Sequence, residues 1–223
     1  MSITSQLHAI KSALPEQVTL VAVSKTKPVS DLMEAYNAGQ RIFGENKIQE
    51  MCDKYEQMPK DIQWHMIGHV QRNKVKYMAP FVSLIHGVDN FKLLKEINKQ
   101  AKANNRTIPC LLQIKIAEET SKFGMTIDEA KAILQSEDFA ALQHIKITGV
   151  MGMATFTDNT TQVENEFKTL KQAFSQLELL QPENAAFKTI SMGMSGDYKL
   201  AITCGSTMIR VGSSIFGERN YNA

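Results

Sequence analysis

A lysine closes the first strongly apolar run of this chain, and chemistry is first visible there. Val18-Thr-Leu-Val-Ala-Val23 leads directly into Ser24-Lys25-Thr26-Lys27. Burying an ammonium is costly, so a lysine at the end of an apolar strand needs a reason. One reason is nucleophilic: burial beside a second cation lowers an amine's pKa and makes it reactive toward an aldehyde. Lys27 lies two positions on, would share that side of an extended backbone, and would supply the cation. The competing reading is two solvent-exposed lysines that introduce a helix. A second charged residue, Arg210, interrupts the apolar run Met208-Ile-Arg-Val-Gly212. A guanidinium there is expected to hold a planar acceptor or a carboxylate, or else to form a structural ion pair, with Glu45 as one partner. Ser191-Met-Gly-Met-Ser195 and Gly212-Ser213-Ser214 are loops of small residues. Gly193 and Gly212 would let backbone approach an anion, and the hydroxyls of Ser191 and Ser213 can donate, although ordinary turns use the same residues.

Lysine, phosphate loop and inward arginine together describe a pyridoxal-phosphate site: an imine to the aldehyde, a cradle for the phosphate, a donor to the pyridine nitrogen. The histidines give no metal motif. His65 and His69 are four apart but straddle a strand end with no glutamate between them, and His8, His86 and His144 have no partners in sequence. The twelve methionines read as core filler, with Met192 and Met194 as candidates to line the pocket.

The elements that must position these groups alternate. Apolar runs predict strands at Val18–Val23, Arg41–Glu45, Ile62–Ile67, Phe81–Val88, Cys110–Ile116, Ile147–Ala154, Lys188–Met192 and Thr207–Val211. Helical periods separate them. Ile3, Leu7, Ile10 and Leu14 line a first helix, and Pro28 opens a second that Gly39 ends. Further helices are predicted from about Lys47 to Gln57, around Asn73–Met78, and after Asp89 as its cap. Thr126-Ile-Asp-Glu129 and Thr161-Gln-Val-Glu164 read as capping boxes for two more, and a short one is predicted near Asp197–Ile202. Eight strands alternating with helices predict an α/β fold with a parallel sheet closed into a single (β/α)8 TIM barrel over residues 1–223, an open doubly wound sheet being the alternative. In such a barrel the loops at the carboxyl ends of the strands carry the active face, and Lys25, Asn46, Ser191, Arg210, Gly212 and Ser213 all fall at or near that end.

Composition excludes several classes. The 223 residues are 43% hydrophobic and 22% charged, ordinary for a globular domain. Lys+Arg 25 against Asp+Glu 23 leaves +2, too little for a dedicated nucleic-acid or membrane surface. No apolar run reaches a membrane span, and the N-terminus does not read as a signal peptide. Cys52, Cys110 and Cys204 are too few and too scattered for a disulfide framework or zinc site, so a reducing cytoplasmic location is expected.

These motifs resemble the YggS/PROSC family of pyridoxal-phosphate homeostasis proteins over nearly the whole chain. The resemblance rests on Ala22-Val-Ser-Lys-Thr-Lys27, Phe43-Gly-Glu-Asn46, Trp64-His-Met-Ile-Gly-His69 with Gln71 and Asn73-Lys74, and Gly149-Val-Met-Gly-Met153. It extends through Ser191-Met-Gly-Met-Ser195 and Gly205-Ser-Thr-Met-Ile-Arg-Val-Gly212 to Ile215-Phe-Gly217. It implies a barrel similar to the N-terminal domain of alanine racemase, the fold type III pyridoxal enzymes. It further implies Lys25 as the Schiff-base lysine, Arg210 facing the pyridine nitrogen, Asn46 near the imine, and Ser191, Gly212 and Ser213 on the phosphate. Lys47-Ile48 and Phe123 depart from the family's usual residues at the rim. The resemblance favours a non-catalytic carrier of pyridoxal 5'-phosphate over a racemase-like enzyme. Alanine racemase adds a second domain with a catalytic tyrosine, for which Tyr221 is a poor substitute, and a guanidinium gives no proton to the pyridine. Apo-enzymes are the expected recipients, Lys27 and Lys122 are candidate transient acceptors, and a monomer is expected.

Overall fold

Fully buried strands separated by amphipathic helices can hide both faces of a sheet only if the helices cover it outside and the sheet closes on itself. The computed structural model, which describes residues 2–118 and 123–218, takes that solution. Strands β1 (Thr19–Val23), β2 (Ile42–Glu45), β3 (Gln63–Met66), β4 (Leu84–Val88), β5 (Ile108–Gln113), β6 (Ile145–Met151), β7 (Ala185–Ser191) and β8 (Met208–Val211) form a closed barrel in chain order. Neighbours are parallel throughout, and β8 returns to β1 with Thr19 opposite Met208 and Val21 opposite Arg210. The connecting helices are α1 (Ile3–Ala13), α2 (Val29–Asn37), α3 (Ile48–Gln57), α4 (Val75–Met78), α5 (Phe91–Ala103), α6 (Ile127–Leu134), α7 (Glu137–Ala140), α8 (Thr160–Glu178), α9 (Tyr198–Thr203) and α10 (Ser213–Phe216).

The core has two parts because strand side chains alternate. Outward residues such as Phe43, Trp64, Val150 and Ile209 pack against the helices, together with Leu7, Leu32, Phe167 and Leu170. Inward residues Val21, Leu84, Leu111, Met151 and Met208 form a smaller apolar plug. The inward face above that plug is polar, which determines where the site lies. Between β5 and β6, and again between β6 and β7, the register shifts just before Gly149. Gly149 has φ +151°, and a Cβ there would lie 1.8 Å from the Thr189 carbonyl oxygen.

Local signals were realised unevenly. Thr126 and Glu129 form the reciprocal capping box of α6, and Gly39 adopts φ +87° after α2. The cap of α5 is Asn90 instead of Asp89: Asn90 Oδ1 accepts from Leu93 N at 2.9 Å. Helix α8 begins a residue before the expected Thr161 box, with Asn159 Oδ1 accepting from Gln162 N at 3.2 Å. In both cases an Asn, a strong capping residue, takes the position. Pro28 sits one residue ahead of the first turn of α2, as its cap. Strands β5, β6 and β7 all start and stop earlier than the apolar runs suggested. The first four residues of β7 alternate between half-buried and exposed and so show no continuous apolar stretch.

Candidate functional site

The carboxyl end of β1 turns sharply at Thr26, whose φ of 64° is unusual for a β-branched residue. Lys27 N donates back to Ser24 O at 3.1 Å and closes the turn. Lys25 therefore sits half-buried at the apex of a tight turn. This corrects the expectation of an extended segment presenting Lys25 and Lys27 side by side. The Lys27 ammonium instead donates to Phe216 O at 2.7 Å and Glu218 O at 2.9 Å, tying the turn to the end of α10.

Beneath the turn lies a buried ionic cluster that sequence reasoning missed. Lys54 Nζ, on α3, donates to Ser24 O at 2.8 Å, Glu45 Oε1 at 2.8 Å and Glu50 Oε1 at 2.7 Å. Ser24 Oγ donates to Glu45 Oε1 at 2.6 Å, and Thr26 N donates to Glu50 Oε1 at 2.6 Å. Burial pushes the Glu45 carboxyl above the usual range, with Lys54 and Ser24 pulling the other way. Glu45 is thus occupied, and the pairing of Glu45 with Arg210 considered from sequence does not occur.

Arg210 points into the barrel. Its Nη1 donates to Ser191 O at 2.8 Å and Ser191 Oγ at 2.6 Å, and its Nη2 to Gly152 O at 3.0 Å. The residue is 4% exposed, and its hydrogen-bond acceptors are all neutral oxygens. Burial lowers its pKa to about 10, so it remains a cation at neutral pH. Ser191 Oγ also lies 3.0 Å from His86 Nδ1, and His86 Nε2 lies 3.1 Å from His65 Nδ1. One assignment gives each of these contacts one donor and one acceptor: Arg210 donates to Ser191, Ser191 to His86, and His86 to His65. In the reverse direction the Ser191 hydroxyl hydrogen finds no acceptor within this chain of groups. Nothing in the sequence linked these two histidines, because they lie on different strands, β3 and β4.

Burial drives the His65 pKa down to about 3, and burial followed by the charges of His65 and Arg210 drives His86 well below its ordinary value. Both rings are neutral in the folded protein. The unfolded chain binds protons at these sites near pH 6.5, and the folded chain does so only far lower. Their contribution to stability is therefore complete above pH 6.5 and falls as pH drops from there toward 3. A series of urea melts should show the midpoint falling over that window, and replacing both histidines with glutamine should flatten the dependence.

The phosphate-type loops meet at the other side of the mouth. Ser195 Oγ accepts from Gly212 N at 3.2 Å and Ser214 N at 3.5 Å, at the start of α10. An oxygen thus already sits where backbone N–H groups converge. Gly193, at φ +97°, allows close packing: a Cβ would come within 2.7 Å of Ala201 Cβ. Ser213 is exposed at the same corner. Ser191 lies deeper than expected for a phosphate donor, its hydroxyl committed to Arg210 and His86. Met192 is fully buried in the core between barrel and helices. Asn46, after β2, is half-buried, and its Oδ1 is buried without a hydrogen-bond partner among the described residues. At the rim, Phe123 stacks on His69, centroids 4.5 Å apart, and His69 Nδ1 lies 3.3 Å from Asp89 Oδ2. Lys122 and Tyr221 lie outside the described residues. A separate cleft of about 320 Å³, lined by Lys11, Leu14, Gln40 and Arg41 among others, opens at the opposite end of the barrel and contributes none of these groups. Among the described residues no cluster of three or more metal-ligating side chains occurs, and no helix is long and apolar enough to cross a membrane.

The class defined by this barrel, with a lysine at the end of its first strand and an arginine inside its last, is that of the alanine racemase N-terminal domain, whose family description matches residues 2–220. Among curated proteins, the pyridoxal phosphate homeostasis protein of Haemophilus influenzae is 39% identical over 208 residues, covering 92% of this chain and 86% of that one. The protein of the same name from Escherichia coli is 35% identical over 212 residues, covering 93% and 88%. The chain belongs to the family of pyridoxal phosphate homeostasis proteins. Among solved structures, PipY of Synechococcus elongatus with PLP bound superposes with a TM-score of 0.88 at 32% identity, covering 97% of this chain and 100% of that one. An alanine racemase from Clostridium difficile shares the fold alone, with a TM-score of 0.76 at 13% identity over 99% of this chain and 58% of its own.

Proposed function

We propose that this protein binds pyridoxal 5'-phosphate through Lys25 and carries it without turning over amino acids. The observation that carries the reading is Arg210. A buried guanidinium whose hydrogen-bond acceptors are all neutral oxygens, and which Asp197 compensates only partly from a distance, is expensive unless a ligand helps to satisfy it. Arg210 also lies level with Val21 of β1, the strand whose following turn carries Lys25. The orphaned Asn46 Oδ1 fits the same ligand, and Ser195 Oγ marks where an oxygen is held by the N–H groups of Gly212 and Ser214. The relatives named for pyridoxal phosphate homeostasis, and PipY with PLP bound, support it.

When bound, the cofactor supplies an aldehyde, an aromatic ring and a phosphate. Lys25 provides the amine for the aldehyde. Gly212 and Ser213 would provide backbone N–H groups for the phosphate, one of whose oxygens would take the place at Gly212 N that Ser195 Oγ, of a residue not singled out from sequence, now holds. Arg210, held by Ser191, would donate to the ring nitrogen, and Asn46 would accept at the mouth. Met192 contributes as packing behind Ser191.

The same residues favour carriage over catalysis. A guanidinium holds its protons and leaves the ring a weak electron sink. His65 and His86 are neutral and committed to each other and to Ser191. Release would follow hydrolysis or transfer to an amine on a recipient apo-enzyme. The three unpaired thiols suit a reducing cytoplasm. The test is to incubate the protein with pyridoxal 5'-phosphate, reduce with borohydride, and weigh and map it. One adduct on Lys25 is expected. Racemase, decarboxylase or transaminase turnover well above free cofactor would overturn the carrier assignment.

A further inference from the structure

We propose that Lys54, acting through Glu45 and Glu50, is a positioning residue for Lys25. This rests on Lys25 being the amine that captures the aldehyde. The ionic cluster grips the backbone on both sides of Lys25, at Ser24 O and at Thr26 N. On one side Lys54 Nζ holds Ser24 O, and Glu45 Oε1 holds Ser24 Oγ. On the other, Glu50 Oε1 holds the amide of Thr26, the residue at φ 64°. The two carboxylates are joined by one ammonium, Lys54 Nζ, at 2.8 and 2.7 Å.

Stability alone is a poor reason for this arrangement. A buried ion pair often gains little over apolar packing, because desolvation offsets the attraction. Here one oxygen of the pair, Glu45 Oε2, is buried with no hydrogen-bond partner among the described residues. What the cluster does provide is a left-handed turn at a β-branched residue, a conformation that persists only where its surroundings over-determine it. That turn sets where the Cα of Lys25 points. Capture needs the neutral amine of Lys25 to add to the aldehyde carbon, forming a C=N bond and releasing one water, with the ammonium's proton passing to solvent. Addition of this kind depends steeply on where the nucleophile is held. The Lys54 ammonium donates to Ser24 O, Glu45 Oε1 and Glu50 Oε1, so its effect passes through the backbone of residues 24–26.

The experiment compares two ligands on the full-length protein: pyridoxal 5'-phosphate, and 4'-deoxypyridoxine 5'-phosphate, which has ring and phosphate but no aldehyde. Both are titrated against wild type, Lys54→Met and Glu50→Gln. Glu50→Gln keeps an oxygen for the Thr26 amide and loses only the charge that holds Lys54, so it carries the test if Lys54→Met does not fold. The expected result is that affinity for the aldehyde ligand falls about 10-fold or more, as displacement of a reacting group predicts, while affinity for the deoxy analogue is unchanged. Equal weakening of both ligands would mean a general structural role, and no change in either would mean no role; each overturns the proposal. Borohydride fixation on wild-type Lys25 serves as the control. Its absence would remove the functional reading and this proposal together, whereas fixation with unaltered ligand selectivity removes this proposal alone.

Discussion

Lys25→Ala is expected to abolish the imine absorbance band and all borohydride-fixed cofactor, while the protein stays folded and retains weaker, non-covalent binding. The expectation follows from what the substitution removes and what it leaves. Lys25 is half-buried at a turn apex and belongs to neither apolar core. Its removal therefore takes away the amine but not the barrel. The phosphate corner of Ser195, Gly212 and Ser214 and the Arg210–Ser191 pair come from other strands and remain. Lys27 is no substitute, because its ammonium is held by the carbonyls of Phe216 and Glu218. An unchanged band in the Ala variant would place the covalent bond on another lysine. The measurement is an absorbance spectrum, before and after reduction, followed by intact mass.

Gly149→Ala should cost about 4 kcal/mol or more, in the range reserved for named structural failures, and leave little soluble folded protein. The added Cβ would fall 1.8 Å from Thr189 O, 2.7 Å from its carbonyl carbon and 2.9 Å from its nitrogen, all backbone atoms of β7. A flexible side chain yields to such a clash; a paired strand does not. The φ of +151° adds strain of its own for any residue with a Cβ. Relief requires β6 and β7 to part at the place where the barrel changes register. Gly196→Ala is the matched control, because nothing lies within 4 Å of a Cβ there. Its urea midpoint should match wild type. A Gly149→Ala protein of normal midpoint would show that the β6–β7 contact is looser than described.

The alternation of strands and helices was readable because each buried strand in a parallel barrel is a short apolar run, a signal carried by consecutive residues. All eight strands were legible in this way, though their ends were not. Chain ends of elements depend on which of several capping residues wins, and Asn90 and Asn159 took positions assigned to Asp89 and Thr161. Lys25 and Arg210 stood out as candidates as well, since a charge in or beside an apolar run is conspicuous without any knowledge of neighbours. The geometry around Lys25 was not. An extended reading put Lys27 beside it, whereas Thr26 at φ 64° sends the chain back on itself.

The sequence by itself determined the alternation of eight strands with helices and the two charged residues most exposed to suspicion, because each of these is written in local periodicity or in one misplaced charge. That the sheet closes into a barrel in chain order was decided by the tertiary structure. Only the tertiary structure decided what those charges meet. The chain from Arg210 through Ser191 and His86 to His65 draws on four strands, and its ends lie 145 residues apart (210 − 65). The clamp of Lys54, Glu45 and Glu50 joins α3 to the turn after β1. Contacts of that kind arise when the sheet closes and fixes which inward and outward side chains share a level. Closure is a property of the whole chain, and no stretch of residues records it.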